Sequence, residues 1–165
     1  MTRRIETARL LLRAPRLADV PALFTFMGDP TSMRHTQLHA SPRALRRYLA
    51  GHRCQARRIG CGPWTVIERT SGGIIGFGGL YDDPFDPGWG IEVGYFFAAA
   101  SWGKGYASEL VGAALVVARE RLGLGRLRAF AHSDNAGSRR VLAKAGFREV
   151  RFVPEMDRIL HETTP

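Results

Sequence analysis

A strand, a glycine-rich turn and a long helix follow one another between residues 91 and 123, and this succession constrains the fold most. The run IEVGYFF (91–97) is rich in β-branched and aromatic residues, which is typical of a strand. The turn SWGKGYASE (101–109) follows, and its last residues begin a helical apolar pattern that ends near Gly123. A strand that leads so directly into a helix predicts a sheet with a helix packed on its face.

Patterns on both sides of this unit predict the order β-α-α-β-β-β-α-β-α-β-β. The other strands are predicted over 9–15, 63–69, 74–80, 126–132, 147–153 and 156–162. Helices are predicted over 17–29 with Asp19 as cap, over 41–57 with Ser41 as cap, and over 135–146 with Asn135 or Asp134 as cap. The hairpin through TSGG and two strand–helix crossovers indicate an α/β fold, a mixed sheet with helices on its faces.

The length of 165 residues indicates a single domain over residues 1–165. No apolar run approaches the roughly 20 residues that cross a bilayer, and the N-terminus lacks the apolar core of a signal peptide. We therefore expect a cytoplasmic protein with no membrane partner, as a monomer or homodimer. Cys54 and Cys61 are expected to be free thiols, and the absence of further ligands near them predicts no metal site.

Positive charge is concentrated in the first part of the chain. The net charge is +9, and residues 1–58 contain 12 arginines against three acidic residues. Such a region can bind a polyanion, including nucleic acid. The alternative, which we favour, is a general arginine bias, because Lys104 and Lys144 are the only lysines among 24 basic residues.

The turn around Gly103 and Gly105 has the chemistry of a phosphate site. Unpaired N–H groups at a helix start lie at the positive end of its dipole, and glycine lets phosphate oxygens approach them closely. The sequence fits neither a P-loop nor a dinucleotide fingerprint, since Gly105 follows the Gly-Lys step and Ser108 stands where the third dinucleotide glycine belongs. A glycine-rich turn without a ligand is the alternative on these residues alone.

Asn135 and Ser138 form a second polar pair after the strand at 126–132. Their i, i+3 spacing puts both side chains on one face of the following helix. They could hold an extended ligand that carries amides, whereas helix capping is the simpler interpretation.

In this order, three segments resemble the GNAT acyltransferase superfamily and its RimJ/RimL-like ribosomal-protein N-acetyltransferase branch. They are IETARLLLRAPRLADVPALFTFMGDP, IEVGYFFAAASWGKGYASE and NAGSRRVLAKAGF, and the resemblance covers nearly the whole chain. It implies a single GNAT domain with a mostly antiparallel mixed sheet and a splayed central strand pair. The family loop reads [QR]-x-x-G-x-[GA], and Trp102 departs from its first position.

The resemblance implies acetyl-CoA as cofactor and no metal. Its pantetheine arm would pair with the backbone of the strand at Phe96, Phe97 and Ala98, with Asn135 and Ser138 alongside. The pyrophosphate would lie on the amides of the loop and helix start, that is on Gly103, Lys104, Gly105, Tyr106, Ala107 and Ser108.

For catalysis, the resemblance places Glu92 as the general base and leaves the general acid open. Many relatives have a tyrosine seven residues after the asparagine, and this chain has Leu142 there. Ser138 is the favoured substitute, because members of this branch often have serine at that position, and His132 is a second candidate. Sequence alone does not rank Tyr81, Tyr95 and Tyr106.

The expected activity is transfer of an acetyl group from acetyl-CoA to a primary amine, either a protein N-terminus or a small molecule, by direct attack in a ternary complex. Asp82, Asp83 and Asp86 could attract a cationic acceptor, although a solvated turn explains them more simply. The alternatives are a non-catalytic acyl-CoA sensor and, less favoured, a nucleic-acid-binding protein. The acceptor and the preferred acyl length are not indicated by these residues.

Overall fold

Eight strands form one sheet in the computed structural model, which describes residues 4–165. They are β1 (Ile5–Glu6), β2 (Leu10–Arg13), β3 (Pro63–Glu68), β4 (Ile74–Tyr81), β5 (Glu92–Phe97), β6 (Leu127–Ala131), β7 (Arg148–Val153) and β8 (Arg158–Thr163). The spatial order is β1-β2-β3-β4-β5-β6-β8-β7, and every neighbouring pair is antiparallel except β5 and β6. The predicted α/β fold with a mixed, mostly antiparallel sheet is confirmed, and β1 is an additional short strand.

Four helices cover the two faces of this sheet. They are α1 (Val20–Met27), α2 (Pro42–Ile59), α3 (Tyr106–Glu120) and α4 (Ala136–Lys144). The side chain of Ser41 accepts a hydrogen bond from the Ala44 amide at 3.1 Å, as the capping prediction for α2 requires. Asn135 caps α4 in the same way.

Asp19 was expected to cap α1, and this prediction is wrong. Its side chain makes no capping bond to that helix and instead accepts two hydrogen bonds from the Arg13 guanidinium, at 2.7 and 2.8 Å. The Thr65 hydroxyl and the Arg16 amide also donate to it. Asp19 therefore ties β2, β3 and the turn before α1 together as a buried ion pair.

Apolar side chains pack on both faces of the sheet. One cluster joins α3 to the sheet through residues that include Leu110, Val111 and Val93. The other joins α1 and α2 to the sheet through residues that include Leu23 and Leu49. Because side chains alternate along β5, residues of this strand contribute to both faces.

The two central strands, β5 and β6, separate soon after they meet. Their single paired position is Glu92 with Arg128, whereas β5 pairs with β4 along its whole length. The remainder of β5 therefore has one edge that faces a gap. This is the splayed strand pair that the family resemblance implied.

Among residues 4–165, no helix has both the length and the apolar character needed to cross a membrane. Cys54 and Cys61 are both free, as predicted.

Candidate functional site

A cavity of about 340 Å³ opens where β5 and β6 separate. Of the predicted site residues, Glu92, Phe96, Asn135 and Ser138 line it, together with the alternative acid His132. Further lining residues come from α2, from the loop after β4 and from the segment before α2. The structure thus places both predicted catalytic residues, Glu92 and Ser138, in the wall of one open cavity, which is called the cavity from here on.

Glu92 is the first residue of β5 and is only 8% exposed. This burial does not fit an ordinary strand glutamate that faces solvent. Burial, together with the negative charge of Asp83, raises the pKa of the Glu92 carboxyl to about 8, while a hydrogen bond with Tyr81 opposes the rise. A carboxyl group with this pKa exchanges protons near neutral pH, as a general base must.

Tyr95 contacts Ser138 in the wall of the cavity. The Tyr95 hydroxyl lies 2.9 Å from the Ser138 hydroxyl, and either oxygen can donate in this hydrogen bond. Burial raises the pKa of Tyr95 to about 12, although its hydrogen bond with Ser138 opposes the rise. Tyr95 therefore stays protonated over the working pH range and has a proton to donate.

The other two tyrosines that sequence could not rank occupy different surroundings. The Tyr106 hydroxyl donates to Glu68 on β3. Tyr81 lies in the cavity wall opposite Glu92, and burial, together with the charge of Glu92, raises its pKa well above the ordinary value. Of the three tyrosines, Tyr95 is the one that contacts Ser138, on the face of β5 that α3 and α4 cover.

His132 lies at the rim of the cavity. Its Nε2 is 3.1 Å from a carboxylate oxygen of Asp157, and its ring stacks on that of His35 at 5.5 Å between centroids. Both contacts hold the imidazole near β8 and the segment before α2. This arrangement matches a structural histidine better than a proton donor to the gap.

Asn135 uses one side of its amide to cap α4. Its Oδ1 accepts a hydrogen bond from the Ser138 amide at 3.1 Å. The capping interpretation is therefore correct for the oxygen, while no residue in the described range 4–165 accepts from the Asn135 side-chain nitrogen. That nitrogen remains a donor at the cavity.

The glycine loop, residues 103–105, is exposed and lies directly before α3. Gly103 and Gly105 have φ angles of 72° and 82°, a conformation that favours glycine. No acceptor within residues 4–165 binds the amides of Gly103, Lys104 and Gly105. The next three amides, from Tyr106 to Ser108, are in the first turn of a helix, where the helix supplies no acceptor. The structure thus presents a row of free N–H groups at a helix N-terminus.

The free edge of β5 directs fewer backbone groups to the gap than the sequence suggested. Both backbone groups of Ala98 are used within the fold, since its amide donates to the Ile75 carbonyl and its carbonyl accepts from the Ser101 amide. Backbone N–H and C=O groups alternate between the two edges of a strand. Those of Phe96 therefore point to β4, while those of Tyr95 and Phe97 point to the gap. The Phe97 carbonyl accepts from the Trp102 indole at 3.0 Å, which leaves the Phe97 amide toward the gap.

One wall of the cavity combines acidic and aromatic side chains. Asp83 and Asp86 line it, whereas Asp82 lies outside the lining and accepts a hydrogen bond from Gln55 at 3.1 Å. Phe85 stacks on Tyr48 with 5.4 Å between ring centroids and an interplanar angle of 16°. The solvated-turn interpretation is therefore incomplete, because two of the three aspartates face the cavity that contains Glu92.

Within residues 4–165, no cluster of three histidine, cysteine, aspartate or glutamate side chains is arranged to hold a metal ion. The polar groups of the cavity include the Glu92 carboxyl, the Tyr95 and Ser138 hydroxyls and the Asn135 amide. These groups can move protons and orient a polar ligand.

Comparisons with known proteins relate the chain to acetyltransferases. The family model described as "Acetyltransferase (GNAT) domain" matches residues 9–148. The uncharacterized N-acetyltransferase YoaA of Bacillus subtilis is 26% identical over 151 residues, which cover 88% of this chain and 82% of that protein.

Two solved structures show the same fold. An acetyltransferase from Agrobacterium tumefaciens superposes with a TM-score of 0.87 at 24% identity, covering 100% of this chain and 96% of the other. RimJ from Mycobacterium smegmatis, solved with CoA-disulfide, has a TM-score of 0.74 at 22% identity and covers 94% of this chain and 81% of its own.

Proposed function

Because the chain belongs to the GNAT acetyltransferase family, a family of acetyl-CoA-dependent N-acetyltransferases, we propose that it transfers an acetyl group to a primary amine at the cavity between β5 and β6. The observation that carries this proposal is the convergence of Glu92, Tyr95 and Ser138 on that cavity. A base and a hydroxyl donor line opposite sides of the place where two strands separate.

The residues present fit acetyl-CoA. Its pyrophosphate would be held by the free amides from Gly103 to Ser108, at the positive end of α3. Its pantetheine amides would pair with the β5 edge at Tyr95 and Phe97 and with the Asn135 side-chain nitrogen. When bound, acetyl-CoA supplies an activated acetyl thioester, so the chain need only position an amine and manage protons.

Glu92 accepts the proton that the amine loses as its nitrogen forms the new bond to the acetyl carbon. The pKa of about 8 leaves a useful ionised fraction at neutral pH and gives the carboxylate enough basicity for the transfer. The adjoining Asp83 and Asp86 keep the surroundings negative, which favours the approach of an ammonium group. That group releases one proton to solvent before its neutral nitrogen attacks, and Glu92 takes the second proton.

Tyr95 donates a proton to the sulfur as the bond between carbon and sulfur breaks. Ser138 holds the tyrosine hydroxyl in place at 2.9 Å and shares its proton. This pair substitutes for the tyrosine that Leu142 replaces. It also gives Ser138 a positioning role, which suits a serine hydroxyl better than direct donation.

The acceptor class follows from the cavity wall. Asp83 and Asp86 attract a positive charge, and the stacked rings of Phe85 and Tyr48 present an apolar and π surface beside them. We infer that the acceptor is an amine with an adjoining aromatic or apolar group. Both a small amine and the first residues of a peptide meet this description.

Thiol release from acetyl-CoA tests the proposal. A panel of small amines and N-terminal peptides is added to the protein, and the acetylated product is identified by mass spectrometry. Turnover with at least one amine above the rate of water hydrolysis is expected. CoA binding without turnover on any amine would favour the acyl-CoA sensor, and salt-sensitive nucleic-acid binding without either would favour the polyanion alternative.

A further inference from the structure

Arg9, which lies just before β2, contacts the glycine loop and α3 from a distant part of the chain. Its Nη1 donates to the Lys104 carbonyl at 2.7 Å. Its Nε donates to the Glu109 carboxylate at 2.8 Å, and its backbone amide donates to the same carboxylate at 2.7 Å. The guanidinium also lies 4.8 Å from the centre of the Tyr106 ring.

The bond to the Lys104 carbonyl fixes the direction of a predicted phosphate-binding amide. The Lys104 carbonyl and the Gly105 N–H belong to one planar trans peptide unit, so they point in opposite directions. When Arg9 holds the carbonyl on its own side, the Gly105 N–H points away from Arg9. An exposed loop with two glycines has little intrinsic preference for this orientation.

The bond to Glu109 removes an unfavourable charge. Glu109 lies in the first turn of α3, where its carboxylate would repel an anion bound at the helix N-terminus. The Glu109 side chain is 14% exposed, so solvent screens its charge weakly, and the Arg9 guanidinium neutralises it. Thr7 adds a further hydrogen bond to the same carboxylate.

We propose that Arg9 is a positioning residue for the cofactor pyrophosphate: it orients the glycine loop through the Lys104 carbonyl and neutralises Glu109. It acts through these groups rather than by touching the phosphates. The proposal rests on the proposed function, since it assumes that the glycine loop binds acetyl-CoA.

The test compares two acetyl donors in Arg9→Gln. Acetyl-CoA contains the pyrophosphate, whereas S-acetylpantetheine has the same thioester and lacks the phosphates. Arg9→Gln should raise the Kd for CoA in calorimetry, and the KM for acetyl-CoA, by about tenfold, the range for loss of a charge-assisted hydrogen bond. The kcat/KM for S-acetylpantetheine should change less than about twofold, because that donor does not use the loop.

Arg69→Gln is the matched control. Arg69 is as exposed as Arg9, and its Nη1 donates to the Thr7 and Ala8 carbonyls rather than to the loop. This variant should bind CoA as the wild type does. The CoA affinity of Arg9→Lys should lie between those of the wild type and Arg9→Gln. Its ammonium neutralises Glu109 but does not bind Glu109 and the Lys104 carbonyl at the same time as the guanidinium does.

The outcomes separate this inference from the proposed function. CoA affinity in Arg9→Gln within twofold of wild type would overturn the positioning role while leaving the function intact. An equal loss of kcat/KM with S-acetylpantetheine would also overturn the positioning role, since the substitution would then have a general structural effect. Failure of the wild-type protein to bind CoA would instead contradict the proposed function itself.

Discussion

Replacement of Glu92 by glutamine should have opposite effects on turnover and stability. The ordinary pKa of this carboxyl is 4.5, and burial with the charge of Asp83 raises it to about 8 in the folded chain. The folded state therefore binds a proton more tightly than the unfolded state. As pH rises from about 4.5 to about 8, the wild type loses stability, because the unfolded chain releases its proton first.

The size of the stability effect follows from the same values. At about 1.4 kcal/mol for each pH unit, the rise from 4.5 to about 8 corresponds to an upper limit of about 5 kcal/mol. Glutamine carries no charge, so Glu92→Gln should gain a few kcal/mol relative to wild type at pH 9 and little at pH 4.5. Urea unfolding at both pH values measures this difference.

Turnover should fall at the same time. Loss of a general base typically lowers the rate by about a hundred- to ten-thousand-fold. In the wild type, kcat/KM for thiol release should rise with pH up to about 8, where Glu92 becomes ionised. Glu92→Gln should lose this dependence and retain only the contribution from ionisation of the acceptor amine.

Asp83→Asn distinguishes the ionisation of Glu92 from the ionisation of the acceptor amine. Asp83 contributes the largest charge effect on Glu92, so its removal should lower the pKa of Glu92 and move the midpoint of the pH–rate profile to lower pH. Glu155→Gln is the control, because Glu155 lines the cavity but is not among the causes of the Glu92 shift. A Glu92→Gln variant with wild-type rates across pH, or with no gain in stability at pH 9, would refute this reasoning.

Three further substitutions test other parts of the site and fold. Gly105→Val should weaken CoA binding in calorimetry at least about tenfold, because a β-branched residue is strained at a φ of 82°. Gly112→Ala is the control and should bind CoA normally, because the added Cβ meets no neighbour within 4 Å. Unchanged affinity in the valine variant would exclude the glycine loop as the pyrophosphate site. Tyr95→Phe should lower kcat about ten- to a hundredfold at constant KM for acetyl-CoA, whereas Tyr106→Phe should keep the wild-type kcat; equal rates in the two variants would remove Tyr95 as the acid. Asp19→Asn should cost roughly 3–5 kcal/mol in urea unfolding, since it leaves a partly buried guanidinium without its partner. Burial alone raises the Asp19 pKa, but hydrogen bonds led by that of the guanidinium lower it below 3.8 overall. The wild type should therefore lose more stability than the variant as pH falls below this value, and equal losses in the two proteins would contradict the ion-pair role.

Local patterns in the sequence predicted most of the fold because each is decided by residues close in the chain. The succession of β5, glycine loop and α3 follows from strand-forming residues, two glycines and a helical apolar spacing. The cap of α2 follows from Ser41 and the proline after it. These features need no knowledge of distant contacts.

The features that the sequence misplaced or could not rank all depend on contacts between residues that are distant in the chain. Asp19 is next to a helix start, yet an arginine on β2 and a threonine on β3 draw its carboxylate away. Ala98 follows a strand with a free edge, yet its own amide belongs to the β4 side. Tyr95 was one of three tyrosines that the sequence could not rank, because its contact with Ser138 joins β5 to α4. Its alternation with Glu92 and Phe96 along β5 was the one available signal.

A crystal structure with bound CoA tests the central claim most directly. The pyrophosphate should lie on the amides from Gly103 to Ser108, with the pantetheine arm in the gap between β5 and β6 and the sulfur beside the Tyr95 and Ser138 hydroxyls. Glu92 should face the same point from the other side of β5. CoA bound outside the gap, or with its sulfur away from these three side chains, would contradict the proposed site.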